Sequence, residues 1–171
     1  DYRSLEGQYD RLVSIEMIEA VGVDYLDGYF SKCASLLKPD GAMALQSILI
    51  QDQFFAQAVK NVDFIQTHIF PGAAIPSVAR IMESVLGHTD LKLLHHEDFG
   101  EDYARTLREW AKNLEKNRDR IVRCGYPEHL YRLWRYYFAY CEGGFLERQI
   151  GVGHFVFTKP RYRGSKIGAT L

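Results

Sequence analysis

Two carboxylates stand where a short apolar run ends. In Asp10-Arg11-Leu12-Val13-Ser14-Ile15-Glu16-Met17-Ile18-Glu19-Ala20-Val21-Gly22, Leu12, Val13 and Ile15 have the character of a buried strand. Glu16 and Glu19 follow at its carboxyl side. In open α/β sheets ligands bind just beyond the carboxyl ends of strands, so both acids are candidates for a site. The same two acids also suit the start of a helix, whose N-terminal partial charge favours them. Other chemical groups are weaker. His95-His96-Glu97-Asp98 has metal-ligand types, but neighbours on a strand face opposite ways, so the two imidazoles cannot easily share an ion and no metal is expected. Cys141 lies among aromatic residues at helical spacing and reads as a small core residue rather than a nucleophile.

The elements that must position these groups follow from periodicity. Residues 11–16 read as a strand, Val23 to Leu37 as an amphipathic helix with Asp24 as N-cap, and Ala42 to Ile50 as a second strand. Lys38-Pro39-Asp40-Gly41 should end the helix and turn the chain. A crossover between parallel neighbours is the simplest topology for this strand-helix-strand unit. Residues 51–90 are helical in pattern, broken at Phe70-Pro71-Gly72, and Gly87 suits a C-cap. Leu91 to Leu94 reads as a strand running on into the His-His-Glu-Asp stretch. Tyr103, Leu107, Trp110 and Leu114 share one helix face. A second long helix carries Leu130, Trp134, Tyr137, Phe138, Cys141 and Phe145, and Phe155-Val156-Phe157 is a last strand.

This alternation suggests part of a doubly wound α/β sheet with inserted helices. A glycine-rich phosphate or nucleotide loop should follow the first strand of such a fold, and none is present. Gly151-Val152-Gly153 leads into a strand, not a helix, and is rejected as one. The chain of 171 residues fits one domain, with 47% hydrophobic and 25% charged residues, enough for a real core. A net charge of −1 gives no general attraction to nucleic acid, and none is expected as partner. Cys33, Cys124 and Cys141 form no CxxC pair, which points to a reducing, cytoplasmic compartment. No apolar run approaches the ~20 residues of a membrane span. Lys112, Lys116, Arg118, Arg120 and Arg123 form a basic run, as does the tail from Arg161 to Leu171. Each reads as a solvated face that could also meet an anionic membrane.

The stretch Asp10 to Gly22 closely resembles a motif of the cyclopropane fatty acyl phospholipid synthases. The likeness continues through Ser35-Leu36-Leu37-Lys38-Pro39-Asp40-Gly41, Asp63-Phe64-Ile65-Gln66, Ile69-Phe70-Pro71-Gly72, Leu107 with Trp110, and Tyr136 to Phe145. These blocks keep the family's order over nearly all of residues 1–160. The resemblance implies the C-terminal portion of a class I S-adenosylmethionine-dependent methyltransferase, a Rossmann-like fold, over residues 1–160, with 161–171 a basic tail. It places the family's acyl-binding part, cofactor loop and a site cysteine before Asp1.

The implied reaction adds a methylene across a cis double bond of a phospholipid acyl chain, at the membrane surface. S-adenosylmethionine is the implied methyl donor and a bound bicarbonate the implied base. The resemblance gives Glu19 the role of holding the bicarbonate, with Gln46, the backbone of Ile48 and Tyr103 as further contacts. Gln46 stands where the family has a histidine: its amide donates hydrogen bonds but does not titrate. Phe64, Phe70, Trp110, Trp134, Tyr137, Phe138 and Phe145 would line or support an acyl tunnel, or serve as plain core. Two other readings remain: a related methyltransferase making a different modified acyl chain, and a non-catalytic lipid-binding or assembly module. If the first strand lies on an open edge, self-association into a homo-oligomer is expected.

Overall fold

The structure, a computed structural model, describes residues 1–164. The last part of the basic tail, 165–171, lies outside the described residues. Four strands make one sheet in the order β1-β2-β4-β3, with β1 Tyr9–Ile15, β2 Leu37–Ile50, β3 Lys92–Asp98 and β4 Ile150–Thr158. β1 and β2 run parallel and β3 and β4 antiparallel, so the sheet is mixed. Between β1 and β2 comes α1 (Leu26–Ser35), the expected crossover. After β2 come α2 (Asp52–Ala58), α3 (Phe64–His68) and α4 (Val78–His88). Between β3 and β4 come α5 (Gly100–Lys116), α6 (Arg118–Arg123) and α7 (Glu128–Leu146).

The described chain forms two compact units. One holds Asp1–Asp98 with the chain from Val152 onward; the other is the helical segment Phe99–Gly151. In the first, Ile18, Tyr29, Phe30, Met43, Leu45, Ile81, Phe155 and Phe157 form the core, all of them buried. Burial pushes the Cys33 thiol up to about 11 and raises the Tyr29 phenol, whose hydroxyl donates to Ser14 Oγ at 2.7 Å. The packing of α1 on α4 is fastened by Asp27. Its Oδ1 accepts from Ser84 Oγ at 2.7 Å and from Arg80 at 3.0 Å, and these two partners hold its carboxyl below the usual range. β1 is an edge strand of the described sheet, with Val13 66% and Ile15 62% exposed.

In the helical unit, α5 and α7 pack through Leu107, Tyr131, Phe138 and Phe145, all buried. Tyr103 lies 5.0 Å from Phe145 between ring centroids, and Trp110 lies 6.0 Å from Phe138. Tyr131 donates to Glu115 at 2.6 Å, and Arg118 to Glu128 at 2.8 Å. α6 takes part of the basic run into a short helix of its own.

Three local expectations need correction. Lys38-Pro39-Asp40-Gly41 does not end an element, because the chain enters β2 at Leu37 and continues as strand. Its turn-forming residues instead bulge from the sheet: Tyr9 pairs with Leu37, but Arg11 already pairs with Ala42. Asp24 caps nothing. It sits in a short 3-10 helix at Val23–Tyr25, and α1 starts after Tyr25 without a side-chain cap. Gly87 lies inside α4, which ends at His88 with Thr89 as its C-cap. In Gly151-Val152-Gly153, all strand, a Cβ at Gly153 would come within 2.7 Å of Leu49 Cδ1 and 2.9 Å of His96 Nε2. Glycine is there for close packing, not for a phosphate.

Candidate active site

After β1 the backbone turns at Glu16, whose φ is +47°, a left-handed value uncommon for a residue with a Cβ. The turn is held at both ends. Glu16 N–H donates to the Gln46 carbonyl at 2.9 Å, and Gln46 Nε2 donates to Glu16 Oε1 at 2.7 Å. A short 3-10 helix, Ile18–Ala20, then brings Glu19 to the carboxyl side of β2. Ile18 is fully buried beneath it, which fixes the helix to the core.

Glu19 Oε1 accepts from Ile48 N–H at 2.6 Å and from Ser47 Oγ at 3.0 Å. Its Oε2 is buried without a hydrogen-bond partner. Burial outweighs these hydrogen bonds and raises the Glu19 carboxyl above the ordinary range, and the nearby Glu16 carboxylate adds to the rise. The Glu19 main chain is fixed as well. Its carbonyl accepts from Ala74 N–H at 2.8 Å. Ala73 in turn accepts from Gln66 Nε2 at 2.9 Å, and Gln66 forms a reciprocal capping box with Asp63 at the start of α3. Through Ala73 and Ala74 the Asp63 to Gln66 block is thus tied to the Glu19 main chain.

Gln46 is the centre of a second network. Because its amide nitrogen faces the Glu16 carboxylate, its Oε1 faces His154 Nε2 at 2.9 Å. An amide oxygen only accepts, so this imidazole nitrogen carries the proton. His154 Nδ1 lies 3.4 Å from Glu97 Oε1, and His95 lies 3.4 Å from Glu97 Oε2. His95 and then His154 hold the Glu97 carboxyl below its usual range. His96 instead lies against Phe155, with ring centroids 4.4 Å apart. The two adjacent histidines therefore serve different neighbours.

Glu19 meets the Ile48 backbone directly, and Gln46, on the same strand, turns its side chain to Glu16; all of them lie within one compact unit. Tyr103 belongs to the helical unit, half-buried between Trp110 and Phe145. Of the acyl-pocket candidates, Phe138 and Phe145 are buried, Phe64, Trp134 and Tyr137 are half-buried, and Phe70 and Trp110 are exposed. Sequence reasoning missed His154. Its signal is a single titratable residue in the apolar run Val152 to Phe157.

The mixed sheet with its α1 crossover is an α/β fold, and its match to solved cyclopropane synthases makes it one of the S-adenosylmethionine-dependent methyltransferase type. Structural likeness is close: the cyclopropane synthase MmaA2 of Mycobacterium tuberculosis matches with a TM-score of 0.82 at 25% identity, over 92% of this chain and 58% of that one. The mycolic acid cyclopropane synthase CmaA1, in a structure containing S-adenosylhomocysteine (SAH) and CTAB, gives 0.83 at 27% identity, over the same shares of each chain.

The family model for mycolic acid cyclopropane synthetase matches residues 1–155, and the chain belongs to that family. It is 37% identical over 145 residues to the tuberculostearic acid methyltransferase UfaA1 of M. tuberculosis, covering 85% of this chain and 34% of the relative. It is 34% identical over 168 residues to the cyclopropane-fatty-acyl-phospholipid synthase of Escherichia coli, covering 98% of this chain and 42% of the relative. The chain thus spans between a third and a half of the length of these two curated relatives.

Proposed function

We propose that the protein carrying this chain modifies a cis double bond of a phospholipid acyl chain, adding one carbon and closing a cyclopropane ring. The observation that carries the reading is Glu19: a carboxylate anchored at the sheet's carboxyl edge by Ile48 N–H and Ser47, with its second oxygen buried and without a partner. S-adenosylmethionine, when bound, supplies the carbon as an electrophilic methyl group. The chain's own residues provide negative charge beside a developing carbocation and remove the proton that ring closure releases.

A second reading is favoured by the similarity to UfaA1: methylation of the same kind of double bond without a ring, giving a methyl-branched chain. Both reactions begin with the same carbon-carbon bond and differ in which proton leaves. The lipid lies in a bilayer, so we propose peripheral attachment, with the basic run from Lys112 to Arg123 meeting anionic headgroups. No helix among the described residues is long and apolar enough to cross a membrane.

The test is expression of the complete gene in a bacterium that lacks cyclopropane synthase and makes monounsaturated phospholipids. Mass spectrometry of the fatty acids should show one added CH2 as a ring. An added methyl branch would select the second reading. Unaltered unsaturated chains, with the protein folded and the methyl donor present, would overturn both.

A further inference from the structure

Two of the donors that the resemblance reserves for a bound bicarbonate, Ile48 N–H and Gln46, are already engaged by the chain. Ile48 N–H goes to Glu19 at 2.6 Å, and Gln46 Nε2 goes to Glu16 at 2.7 Å. Gln46 cannot simply turn its amide around, because its oxygen would then face the Glu16 carboxylate in place of the nitrogen that now donates to it. A small anion at this point would have to displace Glu19 from Ile48 N–H or Glu16 from the Gln46 amide. The bicarbonate does not fit this donor set.

We propose that Glu16 is this protein's own proton acceptor, a carboxylate built into the place that the resemblance gives to bicarbonate. This rests on the reading of the protein as a methyltransferase of acyl-chain double bonds. Two further observations support it. The backbone at Glu16 is left-handed, the position where glycine would be the least strained choice, yet a carboxylate occupies it and is clasped by both the main chain and side chain of Gln46. The two acids are also differentiated. Glu19 is anchored through Oε1 on Ile48 N–H and Ser47 Oγ, whereas Glu16 sits on the Gln46 amide, at the contact that the resemblance gives to the bicarbonate.

The step balances without a further reagent. One alkene carbon bonds to the methyl carbon as the S–CH3 bond breaks, and that bonding pair stays on sulfur. Positive charge passes to the other alkene carbon. Glu16 takes a proton from the transferred methyl, and the C–H electron pair forms the last ring bond. The resulting carboxylic acid returns the proton to water. For the methyl-branch reading the same carboxylate takes a proton after a hydride shift, leaving an alkene.

The test uses the complete protein in buffer stripped of carbon dioxide, with unsaturated phospholipid vesicles and the methyl donor. Wild-type turnover should change by less than about twofold when bicarbonate is restored, whereas Glu16→Gly should lose about 100-fold, the scale of a general base, and recover at least about tenfold with bicarbonate. Glu16→Gln fills the space but accepts no proton, and should be inactive with or without bicarbonate. A second readout needs no turnover: 13C-bicarbonate NMR should show binding to Glu16→Gly and none to the wild type. Wild-type turnover that collapses without bicarbonate, bicarbonate binding to the wild type, or an active Glu16→Gln would each overturn the proposal. If no lipid is methylated under any condition, the proposed function fails, and the NMR comparison still decides whether Glu16 occupies the anion's place.

Discussion

The sheet unit and the helical unit solve different problems with the same hydrophobic supply. In the sheet unit the aromatic residues Tyr29, Phe30, Phe155 and Phe157 are sealed in the core, and the polar groups at the strand ends are locked by hydrogen bonds of 2.6–3.0 Å. In the helical unit the aromatic residues form a graded stack, from buried Phe145 and Phe138 to Trp110, which is 44% exposed. Precise chemistry needs the first arrangement, because a hydrogen bond fails when its partner moves by an ångström. Under the proposed function, contact with a flexible acyl chain would need only the second, because apolar attraction is non-directional.

The largest expected effect that separates the two units is on stability. Phe155→Ala empties a fully buried site in the sheet unit and should cost about 3–5 kcal/mol. Trp110→Ala should cost only about 1–2 kcal/mol, since almost half of its surface is already in water. Denaturant unfolding of the complete protein reads both, and equal losses would erase the contrast.

Next comes Glu19. Glu19→Ala should lower turnover about 100-fold with little change in folding, and Glu19→Gln should be milder because an amide still bonds to Ser47 and Ile48. Its pH dependence has a definite sign. The folded state holds the Glu19 proton to higher pH than the unfolded state does. Stability therefore falls as pH rises from the ordinary carboxylate value through the raised one. Since Gln does not titrate, the stability of Glu19→Gln relative to wild type should climb over that window. A flat difference in denaturant titrations from about pH 4 to pH 8 would mean that Glu19 is not held up by burial.

A smaller effect is expected at Asp27, which is partly exposed. Asp27→Ala should cost about 1–2 kcal/mol by freeing Arg80 and Ser84, measured as a shift in the denaturation midpoint. The smallest concerns the helical unit's basic run. Binding to anionic vesicles should weaken as salt rises, because exposed charges are screened over about 8–10 Å at physiological ionic strength. Equal binding to neutral and anionic vesicles at every salt level would remove the electrostatic part.

Much of the site was readable because it is local. β1, Glu16 and Glu19 lie within one short stretch, and apolar runs ended by acids carry their own signal. Gln46 and Ile48 lie on the adjacent strand, and only the family resemblance singles them out. His154 did not follow, since it reaches Gln46 only through a pairing of β2 with β4 that joins residues 108 apart. Lys38 to Gly41 misled for a different reason. Pro and Gly mark a break in pairing, and the sheet accommodated that break as a bulge where local chemistry allowed a turn. The engagement of the anion's donors was equally out of reach, because it depends on which way two side chains face.

The tie between Ala74 N–H and the Glu19 carbonyl has a consequence for how this site can drift through mutation. It is made by main chain alone, so a change of side chain at position 74 leaves it standing, and comparison of side chains there would give no hint that the position matters. Proline is the exception, since it alone lacks the N–H. Ala74→Pro would release the segment carrying the carboxylate while altering no group that touches it. An inactivating change of that kind would look, to anyone reading side chains, like damage to an ordinary loop.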